Sequence, residues 1–489
     1  SVEGLPGNLA PGDITGVVVH SDMPPTGRFE CSNPLINQLQ HNIQWGQKGN
    51  FVDVPTDCPQ RDERLGWTGD AQAFCRTAAY NMGVAPFFTK WAADIAADQR
   101  PSGAVPWVIP DVLNKPESET VGVSAGWSDV ATILPWTMYQ VYGDKRLLET
   151  QYPSMKAWVE FQHAQSGDSC IWKNGSVFGD WLFYRPAPHD ASTPDGHTDR
   201  DMIATMFFAH STHLLQQAAE VLGKTDDAVF YKVLFEKIKS AFLREYATSA
   251  GRLVSHSQTA YVLALEFDLL PPELRPAAVQ YLTADIRNRK NHLATGFLGT
   301  PYLCHVLSSN GHADLAYELL LQETYPSWLY PVKMGATTIW ERWDGIKTDS
   351  TFQDPGMNSF NHYAYGAIGD WMYRVVAGLE IGAPGYKHIR IQPQPNSKLF
   401  YAKASYESLY GTITSGWEQQ GNTLLVAVTI PPNTTATILL PGAKLNEVKE
   451  GGQPLHASGL FKARQDGSGV VVEVGAGVYQ FAYAYSGLR

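Results

Sequence analysis

The sequence predicts a mainly α-helical body followed by a smaller antiparallel β-sandwich. From about residue 31 to 378, apolar residues recur with the helical period of 3.6. From about residue 379 to 489 the apolar period changes to two, and Gly, Pro and Asn separate the apolar runs. The 489 residues are 44% hydrophobic and 17% charged, which is typical of a folded chain with a large core.

The first 30 residues are predicted to form a separate arm. They are rich in Gly and Pro and contain one short β-like run at 16–20. We therefore expect residues 1–30 to be an extended arm or the end of a β domain.

Helical pairing is clearest over residues 201–246. Apolar residues recur at helical spacing up to Leu222, Gly223 provides a stop, and a second apolar stripe runs over 229–242. Two amphipathic helices joined by a few residues predict an antiparallel hairpin. Several such hairpins, without a repeat of fixed period, favour a toroid or a solenoid of helices. Similar pairs are predicted near 34–48, 70–97, 128–165, 256–286 and 312–322.

The C-terminal region contains four clear strand patterns. Residues 424–430 follow Gly421-Asn422, a typical hairpin turn, and further strands are predicted at 436–440, 470–474 and 478–483. Short strands with turn residues between them favour an all-β sandwich over residues 379–489.

Charge and cysteine content exclude several classes of function. A formal net charge of −11 disfavours nucleic acids and anionic membranes as partners, and no apolar run is long enough to span a bilayer. Five widely spaced cysteines without a CxxC pair predict free thiols, with no metal and no cofactor. These thiols and the lack of a visible signal peptide favour a cytoplasmic location. The oligomeric state is left open, a homodimer being one option.

The most unusual stretch of the sequence is residues 57–70, DCPQRDERLGWTGD. It places four acidic and two basic residues around Trp67, in a chain that is otherwise poor in charge. Pro59 and Gly66 predict a loop that leads into a helix near Asp70. A solvated charged turn rarely includes Trp and Cys, so this composition favours a functional site.

Two further stretches carry candidate residues. In 340–343, WERW, Glu341 lies between two indoles; partial desolvation would raise its pKa, whereas pairing with Arg342 at a helix start is the structural alternative. In 360–366, FNHYAYG, His362 lies among aromatic residues and is either a core histidine or a ligand-binding group.

Together these stretches provide two carboxylates, which is the minimal equipment for cleaving a glycosidic bond. One carboxyl group must donate a proton to the leaving oxygen, and the other must activate water. Trp and Tyr can form a platform for the sugar ring. A metal site formed by His189, His197 and nearby Asp190, Asp195 and Asp199 is a weaker alternative, because their spacing fits no standard pattern.

Residues 57–70, 340–343 and 360–366 resemble segments of glycoside hydrolase family 78, the bacterial α-L-rhamnosidases. The segments GWSD at 126–129 and GDWL at 179–182 are also similar to that family, and the resemblance extends over about 27–489. Members usually carry several β domains before the catalytic body, whereas about 30 residues precede it here. The resemblance implies an (α/α)6 barrel at 31–378, a C-terminal β-sandwich at 379–489 and inverting, metal-free cleavage of terminal α-L-rhamnosides.

The resemblance also implies roles for individual residues. Glu63 corresponds to the general acid and Glu341 to the general base. The rhamnose-binding residues that it implies are Asp57, Arg61, Trp67, Asp70 and His362, with Trp127 and Trp181 on the pocket wall. Inversion further predicts carboxyl groups roughly 6.5–9.5 Å apart, with room for one water. The alternatives are a glycosidase of the same fold with another sugar specificity and a carbohydrate-binding protein without activity.

Overall fold

A computed structural model of the chain describes residues 3–4, 7–113, 122–184, 197–455, 462–467 and 469–485. Helices dominate the chain up to Trp371, and strands dominate it from Leu379 onwards. The helices are α1 (Pro34–Asn50), α2 (Thr68–Asn81), α3 (Ala85–Asp98), α4 (Val130–Tyr142), α5 (Lys145–Ser166), α6 (Arg200–Leu222), α7 (Thr225–Tyr246), α8 (Gln258–Glu266), α9 (Arg275–Asn288), α10 (Thr300–Ser309), α11 (Ala313–Leu320), α12 (Leu329–Lys333) and α13 (Ile368–Trp371).

The hairpin of α6 and α7 shows how local sequence sets the helix ends. The Asp199 carboxylate caps α6 by accepting a hydrogen bond from the backbone N–H of Met202. Gly223 ends α6 in the left-handed conformation, with φ of 72°, which a glycine adopts without steric cost. α7 then begins at Thr225 and packs back along α6. The predicted hairpin over 201–246 is therefore confirmed.

Six of the helices contact one another in a closed ring. α2 contacts α4, and the contacts continue through α6, α8, α10 and α13 back to α2. α3, α5, α7, α9 and α11 each pack against a member of this ring. Every residue of α2 except Arg76 is buried, and every residue of α8 except Glu266. Ring helices enclosed in this way bury residues on all sides, which weakens their amphipathic pattern in the sequence.

The strands form two larger sheets and one short hairpin. The seven-stranded sheet has the order β1-β6-β7-β8-β14-β10-β11 and is antiparallel throughout. The five-stranded sheet has the order β12-β13-β9-β5-β4. The strands are β1 (Gly27–Cys31), β2 (Phe51–Val52), β3 (Val54–Pro55), β4 (Leu379–Ile381), β5 (His388–Ile391), β6 (Tyr401–Ser408), β7 (Gly411–Gln420), β8 (Thr423–Ile430), β9 (Thr435–Pro441), β10 (Lys449–Glu450), β11 (Gln453–Pro454), β12 (Lys462–Asp466), β13 (Gly469–Val474) and β14 (Gly477–Ala484).

The five-stranded sheet differs from the antiparallel arrangement that the sequence predicts. β5 and β9 pair in parallel, so this sheet is mixed. Parallel neighbours need a long connection, and the chain supplies one by building β6, β7 and β8 into the other sheet between them. The four strands predicted by the apolar alternation correspond to β8, β9, β13 and β14.

The β-like run in the N-terminal arm, residues 16–20, does not form a strand. The side chains of Val17, Val18 and Val19 are exposed. Their β-branched composition favours a strand, but among the described residues no neighbouring strand accepts their backbone hydrogen bonds. The first strand is instead β1, Gly27–Cys31, which pairs with β6 and joins the start of the described chain to the C-terminal sheet.

All five cysteines are buried and unbridged, as the sequence predicts.

Among the described helices, none is both long and apolar enough to cross a membrane.

Candidate active site

The charged loop at 57–66 is held at both ends. The Asp57 N–H donates to the Leu65 carbonyl at 3.0 Å, and the Leu65 N–H donates to the Asp57 carboxylate at 2.9 Å. Helix α2 begins directly after the loop and carries Asp70 in its first turn. The loop therefore projects its side chains beside the start of α2, where Asp70 is buried.

A second pair of segments brings Glu341 and His362 to the same place. The Glu341 N–H donates to the Ser359 carbonyl at 2.9 Å, and the His362 N–H donates to the Ile339 carbonyl at 2.8 Å. These two bonds align the segments alongside each other without a helix at 338–344. Arg342 pairs with Asp344 at 2.9 Å, so the predicted alternative of a Glu341–Arg342 pair is wrong.

All nine residues to which the family resemblance assigns a role line one pocket of about 230 Å³. This volume lies below the roughly 300–1,000 Å³ of pockets for drug-sized ligands, so the pocket suits a single small ring. Aromatic rings form its walls, with Phe178 in contact with the rings of Trp67, Trp127 and Trp181. The lining consists of Asp57, Arg61, Glu63, Trp67, Asp70, Trp127, Phe178, Trp181, Phe297, Glu341, Met357 and His362.

The Arg61 guanidinium joins Glu63 and Glu341. It donates from Nε to Glu63 Oε2 at 2.8 Å and from Nη1 to Glu341 Oε2 at 2.7 Å. The other oxygen of Glu63 accepts a hydrogen bond from the Trp67 indole N–H at 2.7 Å. Glu341 is almost fully buried, with 3% of its side chain exposed, whereas Glu63 keeps 27% exposed. One carboxylate is thus enclosed and the other remains open to the pocket mouth.

The shared guanidinium also limits the distance between the two carboxylates. Arg61 Nη2 lies 2.6 Å from Glu63 Oε2 and 3.2 Å from Glu341 Oε1. These two oxygens, one from each carboxylate, therefore lie no more than about 6 Å apart while both contact the guanidinium.

The Arg61 contact decides the protonation state of Glu341. Burial opposes ionisation of this carboxyl group, but the hydrogen bonds and charge of Arg61 outweigh burial and hold the pKa of Glu341 below its ordinary value. The expectation that flanking indoles raise the pKa of Glu341 is therefore wrong. Glu341 is an ionised carboxylate at neutral pH.

The raised carboxyl pKa values of the pocket belong to Asp57 and Asp70. Burial, and then the charge of Glu63, raises the pKa of Asp57 to about 7. Burial, and then the surrounding carboxylates, raises the pKa of Asp70 well above its ordinary value. Asp70 lies 3.5 Å from Nε2 of His362, whose pKa burial lowers to about 4. His362 is therefore a neutral imidazole, both buried and part of the pocket lining.

One group in the described part of the chain has the composition of a metal site. The ligand atoms of Asp57, Cys58 and Glu63 lie within 4.8 Å of one another. Burial raises the pKa of the Cys58 thiol to about 12, so the sulfur stays protonated, and Arg61 already pairs with Asp57 and Glu63. A cation would have to displace both a proton and a guanidinium, so this donor set does not suit a metal.

The alternative metal cluster lies mostly outside the described residues. His189, Asp190 and Asp195 belong to the segment that the structure leaves out. Of the other two members, His197 contacts the Phe183 ring and Asp199 caps α6.

Two buried aspartates fix the segments that carry the wall residues Trp127 and Trp181. Asp129 accepts hydrogen bonds from the Trp158 indole, from the Gln162 amide and from the Ser211 hydroxyl. Asp180 accepts from the backbone N–H groups of residues 296, 298 and 299, at 2.7, 2.8 and 3.1 Å, and from the Thr259 hydroxyl. These aspartates explain why each segment contains an acidic residue next to its tryptophan.

Replacing Asp180 with Ala is expected to lower the free energy of unfolding by about 3 kcal/mol, since buried donors lose their acceptor. Denaturant unfolding followed by fluorescence measures this loss. The exposed Asp168 provides the matched control, for which an Ala variant should change stability by less than about 0.5 kcal/mol. Equal stability of the two variants would contradict an anchoring role for Asp180.

Three pocket residues were not predicted from the sequence: Phe178, Phe297 and Met357. Each is an apolar residue that no motif in the sequence includes, although Phe178 directly precedes the segment at 179–182. The backbone N–H groups of residues 177 and 178 point to the Ser124 hydroxyl, which positions Phe178. Phe297 lies in the segment that Asp180 fixes through the N–H of residue 296. Nothing in their local sequence distinguishes them from core residues.

Family profiles match nearly the whole chain. The profile for the bacterial alpha-L-rhamnosidase 6 hairpin glycosidase domain matches residues 24–376. The profile for the bacterial alpha-L-rhamnosidase C-terminal domain matches residues 378–454.

Similar proteins carry the same family name. An alpha-L-rhamnosidase of Streptomyces avermitilis is 43% identical over 480 residues, which is 98% of this chain and 44% of that protein. One from Formosa agariphila is 42% identical over 97% of this chain and 50% of its own length. The chain thus spans about half the length of the relatives it matches.

Solved structures of similar proteins agree with the fold. The crystal structure of the Streptomyces avermitilis alpha-L-rhamnosidase complexed with L-rhamnose has a TM-score of 0.86 and 42% identity, covering 95% of this chain and 42% of that one. The alpha-L-rhamnosidase from Dictyoglumus thermophilum has a TM-score of 0.90 and 34% identity, covering 98% of this chain and 53% of that one.

Proposed function

Since this chain belongs to the bacterial α-L-rhamnosidase family, we propose that it hydrolyses terminal α-L-rhamnosides. The observation that carries this proposal is the single pocket in which Arg61 joins the buried Glu341 to the more open Glu63. The L-rhamnose complex of the Streptomyces avermitilis relative supports the choice of sugar.

The pocket suits one pyranose ring at the end of a chain. Its volume of about 230 Å³ fits a monosaccharide, and the indoles of Trp67, Trp127 and Trp181 offer surfaces for the C–H groups of a sugar. Rhamnose carries a methyl group at C6 in place of a hydroxymethyl, and the apolar Phe178 and Met357 are suitable contacts for it.

The two glutamates take different roles in the proposed reaction. Glu341 is ionised and enclosed, which suits a general base that removes a proton from the attacking water. Glu63 lies beside the Trp67 indole with part of its side chain exposed, which suits a general acid that protonates the departing glycosidic oxygen. Asp57, Arg61, Asp70 and His362 then bind the ring hydroxyls.

Inversion of the anomeric centre is the stereochemical part of the proposal, and it rests on the family resemblance. It requires a water beside Glu341 and proton donation from Glu63 to the departing oxygen. The alternative is a retaining reaction, in which the second carboxylate attacks the anomeric carbon directly.

Proton NMR of the first product formed distinguishes the two reactions. We expect β-L-rhamnose to appear first from an α-L-rhamnoside, followed by slow mutarotation to the anomeric mixture. Initial release of α-L-rhamnose would establish retention and overturn the assignment of Glu341 as a base.

Sugar specificity is tested with matched 4-nitrophenyl glycosides. We expect nitrophenol release from the α-L-rhamnopyranoside, with little from the α-glucoside, β-glucoside and α-mannoside. Preferential turnover of another glycoside would indicate a different glycosidase of the same fold. Binding of rhamnose with no release from any substrate would indicate a carbohydrate-binding protein.

The architecture belongs to the same proposal. We infer an (α/α)6 barrel over residues 31–378, supported by the closed ring of helix contacts and by the packing of α3, α5, α7, α9 and α11 against it. Residues 379–489 would form a β-sandwich domain, supported by the profile that begins at residue 378. The pairing of β1 with β6 would then connect the arm at 1–30 to that domain.

A further inference from the structure

A second cavity, of about 260 Å³, lies within the ring of helices. Residues of α2, α4, α6, α8, α10 and α13 all contribute to it. None of its lining residues belongs to the active-site pocket. Its volume is close to that of the active-site pocket, so it can hold a ligand of similar size.

The two cavities lie at different heights along the same segments. Asp70 in the first turn of α2 lines the active-site pocket, and Arg76 of the same helix lines the second cavity. Six residues of helix separate their positions by about 9 Å along the axis. The last segment repeats this order, with His362 in the active-site pocket and Asp370 in the second cavity.

The amide group of Gln72 has hydrogen-bonding capacity that no described residue uses. Gln72 lines the second cavity and is 3% exposed, and neither its amide oxygen nor its amide nitrogen has a hydrogen-bond partner among the described residues. A buried amide without partners is destabilising, and a ligand with both donors and acceptors would offset that cost.

The charges around the second cavity largely cancel. Arg76 lies 3.1 Å from Glu380 and 3.4 Å from Asp370, and Arg374 pairs with the same two carboxylates. Each guanidinium is therefore already neutralised, so the site favours neither a free anion nor a free cation.

The remaining groups have the chemistry of sugar recognition. The Trp136 and Tyr302 rings offer apolar surfaces, and the Glu266 side chain also lines the cavity. Burial lowers the pKa of His210 to about 3, so this imidazole is a neutral partner for hydroxyl groups. Aromatic surfaces beside amide, carboxyl and imidazole groups match a ring that alternates C–H and O–H groups.

We propose that the second cavity is a binding site for a neutral monosaccharide, separate from the active-site pocket. The Gln72 amide and the Glu266 carboxyl group bind its hydroxyl groups, and the Trp136 indole packs against its ring. Sugar binding in this cavity requires no catalysis, so the proposal can be tested independently of the proposed hydrolase activity.

Fluorine NMR of protein labelled with 5-fluorotryptophan tests the proposal. Trp136 reports on the second cavity and Trp127 on the active-site pocket, each resonance being assigned with a Phe variant. The probes are L-rhamnose, D-glucose and D-galactose, with sodium sulfate as the charged comparison. We expect a saturable shift of the Trp136 resonance with at least one of these sugars and none with sulfate.

Two variants identify the source of that shift. Glu266→Gln and Gln72→Leu are each expected to weaken the response of Trp136 at least tenfold and to leave the response of Trp127 unchanged. Because Glu266 is exposed, Glu266→Gln should fold, and it tests the proposal even if Gln72→Leu does not fold. The proposal is overturned if none of the three sugars shifts the Trp136 resonance up to about 100 mM, or if only sulfate shifts it. It is also overturned if a sugar shifts this resonance as much in Glu266→Gln as in the wild type.

Discussion

Replacing Glu341 with Gln is expected to lower kcat for α-L-rhamnoside hydrolysis by about 10²- to 10⁴-fold, which is the contribution of a positioned general base. The amide keeps the shape of the side chain and an oxygen for Arg61 Nη1, and it loses only the longer contact of 3.2 Å with Arg61 Nη2. Loss of the carboxylate removes the group that accepts a proton from water. Steady-state kinetics on the 4-nitrophenyl rhamnoside measure the effect, because the base acts in the same step whatever the leaving group.

A matched control separates chemistry from folding. Asp349 is an exposed carboxylate a few residues further along the same loop region, and Asp349→Asn should leave kcat within about twofold of the wild type. Substrate affinity should survive in Glu341→Gln, measured by rhamnose binding. A variant that retained most of its kcat would show that another group activates the water.

The pH dependence of wild-type kcat/KM follows from the same contact. Arg61 holds the pKa of Glu341 below its ordinary value, and the base acts only when ionised, so the activity that depends on Glu341 should fall only at pH values below the ordinary range of a glutamate. Asp57, with a pKa of about 7, titrates at higher pH. If the pH profile of kcat/KM has an inflection near pH 7 that disappears in Asp57→Asn, that inflection reports Asp57 and not the base.

Local patterns in the sequence predict most of the helices and four of the strands in the C-terminal region, but not which segments meet. The α6–α7 hairpin follows from its apolar stripes and from Gly223, because both act within a few residues. The run at 16–20 has strand-forming composition and still forms no strand, since a strand requires a partner elsewhere in the chain. The parallel pairing of β5 and β9 likewise depends on which sheet the intervening strands join.

The candidate site was predictable in its residues more than in its electrostatics. The charged loop and the two aromatic stretches contain seven residues that the fold brings into one pocket, and the segments at 126–129 and 179–182 add Trp127 and Trp181. The sequence suggested a raised pKa for Glu341 from its indole neighbours, whereas Arg61, 280 residues away, lowers it. Phe178 and Met357 escaped prediction because an apolar residue in a pocket wall has the same local pattern as one in the core.

Replacing Glu63 with Gln is expected to reduce activity by an amount that depends on the leaving group. A general acid matters most when the departing oxygen is a poor leaving group, so an alkyl α-L-rhamnoside should lose about 10²- to 10⁴-fold in kcat/KM. The 2,4-dinitrophenyl rhamnoside needs little protonation and should lose less than about tenfold. Comparing kcat/KM for the two substrates in the wild type and in Glu63→Gln measures this difference.

Asp62 supplies the closest control for Glu63, because it is the neighbouring carboxylate in the same loop and is fully exposed. Asp62→Asn should leave both substrates unaffected, which excludes a general disturbance of the loop. The same large loss on both substrates in Glu63→Gln would instead assign Glu63 to sugar binding, through its bridge to Arg61. Proton donation predicts a much larger loss on the alkyl rhamnoside than on the dinitrophenyl rhamnoside, whereas sugar binding predicts equal losses. The ratio of the two losses therefore distinguishes the two roles.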